Sequence, residues 1–230
     1  MLNKKTVIDQ RICLSNDGKV NLRQMKILED LGLGQRQVAG DPVRRERVEK
    51  ARQALANNPR ENNLVQLSFV SFLHDAIVKS DELAKMLSSE LRGKAVVDLG
   101  CGSSEAVKES LDLVEKLGAG AYIGVDVFYR KNEFPVYAYS EKRVKIAMVG
   151  DDMLLFAASL KDKSVNFIIS GIDNCIINEG WYWKELNAHI KRATEDGGII
   201  LENSSKNVRC NAFNWNETCR KNAFVGKKKI

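Results

Sequence analysis

The chain has 230 residues, of which 44% are hydrophobic and 29% charged, with a formal net charge of +6. That length allows one full domain whose core stands without metals or disulfides, and the composition excludes wholesale disorder and collagen-like structure. No apolar run approaches the ~18 residues of a membrane span, so no membrane partner is expected.

The first 60 residues read as short helices with breaks. Asn21 is placed to cap a helix carrying Leu22, Met25, Leu28 and Leu31, with Gly32 and Gly34 ending it. Asp41-Pro42 is a cleaner start, with the acid at the cap and proline in the first turn. The helix that follows, 43–56, sets Val43, Val48, Ala51 and Leu55 among five basic residues and stops at Asn57-Asn58-Pro59. Residues 61–91 are helical in period, with a break at Ser80-Asp81 and Asp81 as a candidate cap.

From Lys94 the pattern changes to strands alternating with helices. Strands are expected at 95–100, 121–128, 143–150, 165–171 and 198–203, and helices at 104–118, 153–160 and 181–195. A last strand, within 223–229, is expected on an edge. Near-continuous apolar strands separated by helices predict an α/β fold with a doubly wound, mostly parallel sheet covered on both faces. Ligands in such folds bind beyond the carboxyl ends of the strands. The expected division is an N-terminal helical cap over 1–90 and a sheet domain over 91–230.

Charge is unevenly spread. Residues 1–60 hold 13 Lys/Arg against 7 Asp/Glu, residues 206–230 hold 7 against 1, and the middle, 61–205, holds 16 against 22. Basic ends flank an acidic centre, unlike a uniformly basic nucleic-acid binder. The five cysteines form no Cys-x-x-Cys pair and there are two histidines, so no disulfide framework or metal site is assigned. The opening residues carry two lysines with no apolar stretch after them, so no secretory signal is expected, and the compartment inferred is a reducing cytoplasm.

The most informative segment is Val97-Asp98-Leu99-Gly100-Cys101-Gly102-Ser103-Ser104, which joins the first of these strands to the next helix. Gly100 and Gly102 permit a turn that a side chain would block and let backbone approach a ligand closely. Glu105 stands where a dinucleotide fingerprint has its third glycine, and there it would oppose a diphosphate at the helix start. With Asp98 beside it, the turn suits a ligand bearing positive groups.

This turn, followed by the strand ending Ile123-Gly124-Val125-Asp126, resembles the Rossmann-like class I S-adenosylmethionine-dependent methyltransferases over roughly residues 90–203. The resemblance implies that Asp98, Gly100, Cys101 and Gly102 surround the methionine part of S-adenosylmethionine and that Asp126 takes the ribose hydroxyls. It places Asp151 or Asp152 on the adenine amine, Met153 against the adenine ring, and Ser170 beside the cofactor. Gly171, Asp173, Trp181 and Tyr182 then face the substrate; the alternative reading of the two aromatics, which their sequence setting favours, is as anchors of their helix. Asp173 and His74 are the catalytic candidates. The family has a helix and an antiparallel hairpin after the fifth strand, whereas the 27 residues after Asn203 provide for one irregular segment and the edge strand.

The implied activity is methyl transfer from S-adenosylmethionine, leaving S-adenosylhomocysteine, to a nucleophilic atom of a small-molecule acceptor. The acidic centre favours that acceptor class. The alternatives are an RNA methyltransferase using the basic N- and C-terminal segments, or an S-adenosylmethionine-binding protein without catalysis.

Overall fold

The computed structural model describes residues 29–31, 79–102, 104–126, 144–149, 152–169, 180–202, 213–216 and 224–229. The expected helix 43–56, residues 61–78 with His74, and Asp151, Ser170, Gly171 and Asp173 lie outside them.

In chain order the elements are α1 (Asp81–Leu91), β1 (Ala95–Leu99), α2 (Ser104–Lys116), β2 (Ala121–Val125), β3 (Lys145–Val149), α3 (Met153–Ser159), β4 (Asn166–Ile169), α4 (Gly180–Ala193), β5 (Ile199–Glu202), β6 (Phe213–Asn216) and β7 (Phe224–Lys228). Local chemistry sets their ends. Ser80, one residue before the expected cap, accepts from the Leu83 amide and starts α1. Gly118, at φ +79°, closes α2: its amide reaches Glu115 O while the Ala119 amide reaches back to Val114 O. That pair of bonds is the Schellman closure, for which the left-handed backbone of glycine is suited. At the far end of α3, the Arg192 guanidinium donates to the carbonyls of Ala157, Ala158 and Leu160, adding to the Leu160 amide that already donates to Ala157 O.

The strands form one seven-stranded sheet in the order β3-β2-β1-β4-β5-β7-β6. The first five pair in parallel, and β7 runs antiparallel to both β5 and β6. Each residue of β1, β2, β4 and β5 is buried, as helices on both faces require. Because successive side chains alternate between faces, Val97 and Leu99 pack with Leu154 and Phe156 of α3 and Leu186 and Ile190 of α4. Val96 packs on the opposite side with Leu83 and Leu87 of α1 and Leu111 of α2. Helix α1 ends at Leu91, one residue past the expected boundary, and its buried leucines share this layer of the sheet.

The C-terminal strands differ from expectation. Phe224–Lys228 is not an edge strand. It fills the slot between β5 and β6, and the short Phe213–Asn216 takes the edge. An antiparallel β6–β7 pair is therefore present where one irregular segment and an edge strand are expected.

At the opposite end of the sheet from the carboxyl termini of the parallel strands, two turns lie in close contact. The Gly93 amide donates to Gly118 O and the Gly120 amide to Lys94 O, both at 2.8 Å.

Candidate functional site

The turn after β1 is tied to the ends of β2 and β3. Gly100 and Gly102 both hold positive φ, +73° and +67°. The Gly100 and Cys101 amides donate to Val125 O at 2.8 and 3.2 Å, fastening the turn to the last residue of β2. The Gly102 amide then donates to Asp126 Oδ2 at 3.0 Å, and the Asp126 amide donates to Val149 O at 3.1 Å. Three strand ends are thus joined around one carboxylate. Gly102 and Asp126 are half-buried, and Cys101 between the two glycines is buried. Gly124 leaves room for the buried thiol: a methyl group there would lie 2.9 Å from Met148 Sδ and 3.1 Å from Cys101 Sγ.

Asp98 is fully buried and faces the α2 side of the sheet. It accepts from the Tyr122 hydroxyl at 2.7 Å. Asp98 is in register with Gly124, so Tyr122, two residues earlier in β2, projects on the same face. Ser110 of α2 also hydrogen-bonds the phenol. Burial pushes the Tyr122 phenol well above its ordinary value of 10.0, and the neighbouring Asp98 carboxylate raises it further, so it remains a donor. Sequence reasoning passed over Tyr122. The available signal was a hydroxyl in a strand buried on both faces, which needs a buried partner.

The linkage has a definite sign. A phenol whose folded pKa exceeds its unfolded value stabilises the fold fully below the unfolded value, and that contribution is lost as pH rises through the folded one. Tyr122→Phe is expected to cost about 2 kcal/mol at neutral pH, by removing a donor from a buried carboxylate. In urea denaturation, the gap between wild type and variant is expected to narrow as pH climbs past the ordinary phenol range. A constant gap across that range would remove Tyr122 as its source.

Asp152 begins α3. Its Oδ1 accepts from the Leu154 and Leu155 amides at 2.9 and 3.2 Å. The Tyr182 hydroxyl reaches Asp152 Oδ1 and Oδ2 at 3.1 and 3.0 Å and itself accepts from the Leu154 amide at 3.2 Å. Asp152 is 3% and Tyr182 1% exposed, so both belong to the junction of α3 and α4. Trp181 stands edge-on to Tyr182, with ring centroids 5.6 Å apart, and is half-exposed. Met153, the next residue after the cap, is buried in the same cluster. Glu202 is buried at the carboxyl end of β5, in register with Ile169.

Lys227 and Lys228 lie at the other end of the sheet from the Gly100–Gly102 turn. Lys227 is in register with Ile199, the first residue of β5, and meets Glu90 of α1 at 2.6 Å. Lys228 donates to Thr194 O at 2.6 Å and stands 3.5 Å from Asp196. Among the described residues, no helix is long and apolar enough to cross a membrane.

No protein-family model and no curated protein matches the chain. Among solved structures, it is similar to a geranyl diphosphate methyltransferase in complex with S-adenosylmethionine, at 16% identity over 63% of this chain and 55% of that one, with a TM-score of 0.37. A second is MnmC2 from Aquifex aeolicus, at 13% identity over 64% and 56%, with a TM-score of 0.43. A third is phosphoethanolamine N-methyltransferase 2 from Haemonchus contortus in complex with S-adenosyl-L-methionine, at 16% identity over 55% and 30%, with a TM-score of 0.33. The chain spans just over half the length of the first two and less than a third of the last. Five parallel strands in the order β3-β2-β1-β4-β5, closed by an antiparallel hairpin whose last strand is inserted next to β5, are the Rossmann-like class I methyltransferase fold.

Proposed function

We propose that the chain is an S-adenosylmethionine-dependent methyltransferase acting on a small-molecule acceptor. The observation that carries the reading is the clasp of the Gly102 amide on the Asp126 carboxylate at the adjoining ends of β1 and β2. The residues present suit this cofactor. A half-buried carboxylate offers two acceptor oxygens, fitting a ribose diol. Positive-φ glycines leave backbone open to close approach. The turn is backed by Asp98, whose charge favours an ammonium and a sulfonium over a diphosphate.

When bound, the cofactor supplies a methyl group on a positive sulfur. That methyl would pass to a lone pair of the acceptor, with the carbon–sulfur electron pair left on sulfur. The protein's part is to hold the two reactants in line and exclude water. In this reading Asp98, Gly100, Cys101 and Gly102 shape the methionine side, Asp126 holds the ribose, and Asp151, Met153 and Ser170 serve the adenine side. Gly171, Asp173 and Trp181 fall to the acceptor, with Asp173 or His74 available to take a proton where the acceptor must lose one. The acidic centre supports a small-molecule acceptor. The RNA alternative draws on basic ends, and the pairing of Lys227 and Lys228 at the opposite end of the sheet counts against the C-terminal one.

Calorimetric titration with S-adenosylmethionine, S-adenosylhomocysteine and NADH tests this reading. Binding of the first two and not the third is expected. Folded protein that binds neither would overturn it, and binding without turnover across an acceptor screen would favour the non-catalytic alternative.

A further inference from the structure

Helix α4 is anchored by one stripe of buried side chains, Tyr182, Trp183, Leu186, Ile190 and Ala193. Trp181 stands just ahead of that stripe, in the first turn, and is half-exposed. Its neighbours fasten the helix, and a large flat ring is left partly in the core and partly outward.

Tyr182 fixes how that ring is held. The two rings meet edge-on, with centroids 5.6 Å apart and planes at 73°. Tyr182 is 1% exposed, and its hydroxyl is tied to both Asp152 oxygens and to the Leu154 amide. An indole set against a ring fastened at its far end has given up rotamer freedom before a ligand arrives, which lowers the cost of binding. The same bonds bring the first turns of α3 and α4 side by side. Both helices follow parallel strands, so these turns stand at the carboxyl end of the sheet, the end that carries Gly102 and Asp126. Among the described residues, the partly buried apolar side chains packed on this core cluster are Leu31, Leu155 and Trp181, and the last two belong to these two turns. An indole and a leucine offer a surface on the scale of one or two fused rings, far below the roughly 800 Å² per partner of a stable protein interface. Another flat π system matches such a face best.

We propose that Trp181, with Leu155 beside it, is the platform on which the methyl acceptor lies, and that the acceptor is a small molecule carrying a planar aromatic ring. The inference rests on the methyltransferase reading and narrows its acceptor from small molecules in general to aromatic ones. Tyr182 is then a positioning residue that sets the indole, and it does not itself touch the acceptor.

The test uses two pairs of probes matched in size, naphthol with decahydronaphthol and phenol with cyclohexanol, titrated into the protein saturated with S-adenosylhomocysteine. Wild type is expected to bind the aromatic member of each pair more tightly. Trp181→Leu, which keeps apolar bulk, is expected to lower that preference about fivefold, the scale of a ring contact beyond its buried area. Trp181→Phe keeps a flat ring and is expected to restore most of it. Met86→Ala is the control for general loosening: it trims a half-buried side chain of α1 on the other face of the sheet and is expected to leave the preference unchanged. Should Trp181→Leu not fold, Trp181→Met takes its place with the same expected fall. No aromatic preference in either pair, or one that the folded variant retains, overturns the proposal while bound S-adenosylhomocysteine keeps the cofactor reading. A short single-stranded oligoadenylate that binds more tightly than naphthol, and loses this in Trp181→Leu, would give the platform to a nucleobase of RNA and overturn the small-molecule acceptor. Folded wild type that binds no S-adenosylhomocysteine overturns both readings.

Discussion

Asp126→Ala is expected to weaken S-adenosylmethionine binding roughly a hundredfold or more, because charge-assisted hydrogen bonds contribute about 1.5–3 kcal/mol each. Two losses combine in that variant. The ribose loses its acceptor, and the Gly102 amide loses the oxygen that holds the turn at 3.0 Å. Asp126→Asn separates them. Its amide oxygen still accepts from Gly102, whereas its nitrogen offers hydrogens to hydroxyls that a carboxylate would simply accept. Its affinity is expected to fall between wild type and alanine. Titration calorimetry on variants with an unchanged circular dichroism spectrum measures both. An alanine variant that binds as wild type does would remove Asp126 from the cofactor site.

Gly120→Ala is expected to cause the largest loss of stability, about 3 kcal/mol, at the upper part of the range for forcing extra volume into close-packed structure. A methyl group at Gly120 would lie 2.8 Å from the Gly93 carbonyl carbon and 3.2 Å from its α-carbon. These are backbone atoms, held by the Gly93 amide on Gly118 and the Gly120 amide on Lys94, so no side chain can swing aside. For a chain of this size the melting temperature should drop on the order of 10 °C. The contrast is Gly124→Ala. There the nearest atoms are the flexible end of Met148, which can rotate away, and a smaller loss is expected. The two melting curves decide the matter. Equal losses would mean that the contact between the Gly93 and Gly120 turns yields as readily as a methionine tip.

The residues that were legible in sequence owe this to local causes. The five parallel strands are apolar runs ended by glycine or acid, and a run buried on both faces needs no alternation to be recognised. Gly118 and the acid before Met153 mark helix ends through bonds made within a few residues. The Gly100-to-Gly102 turn declares itself because few other residues tolerate its backbone. The remaining features rest on partners far apart in the chain. Phe213–Asn216 alternates apolar and polar residues over only four positions, and it becomes a strand through pairing with Phe224–Lys228. Tyr122 and Tyr182 are separated from their carboxylates by 24 and 30 residues, so each reads as a plain aromatic until the sheet is assembled. Asp151 and Asp152 are alike in sequence, and only the helix start gives Asp152 to the fold.

The insertion of β7 between β5 and β6 also bears on biosynthesis. β6 emerges from the ribosome before β7, yet among the described residues its sheet pairing is with β7 alone. Until β7 arrives, β6 has no ladder to join, and β5 presents an open edge that invites pairing with another chain. A chain cut before Phe224 would therefore keep the five parallel strands and leave the sheet unsealed at β5.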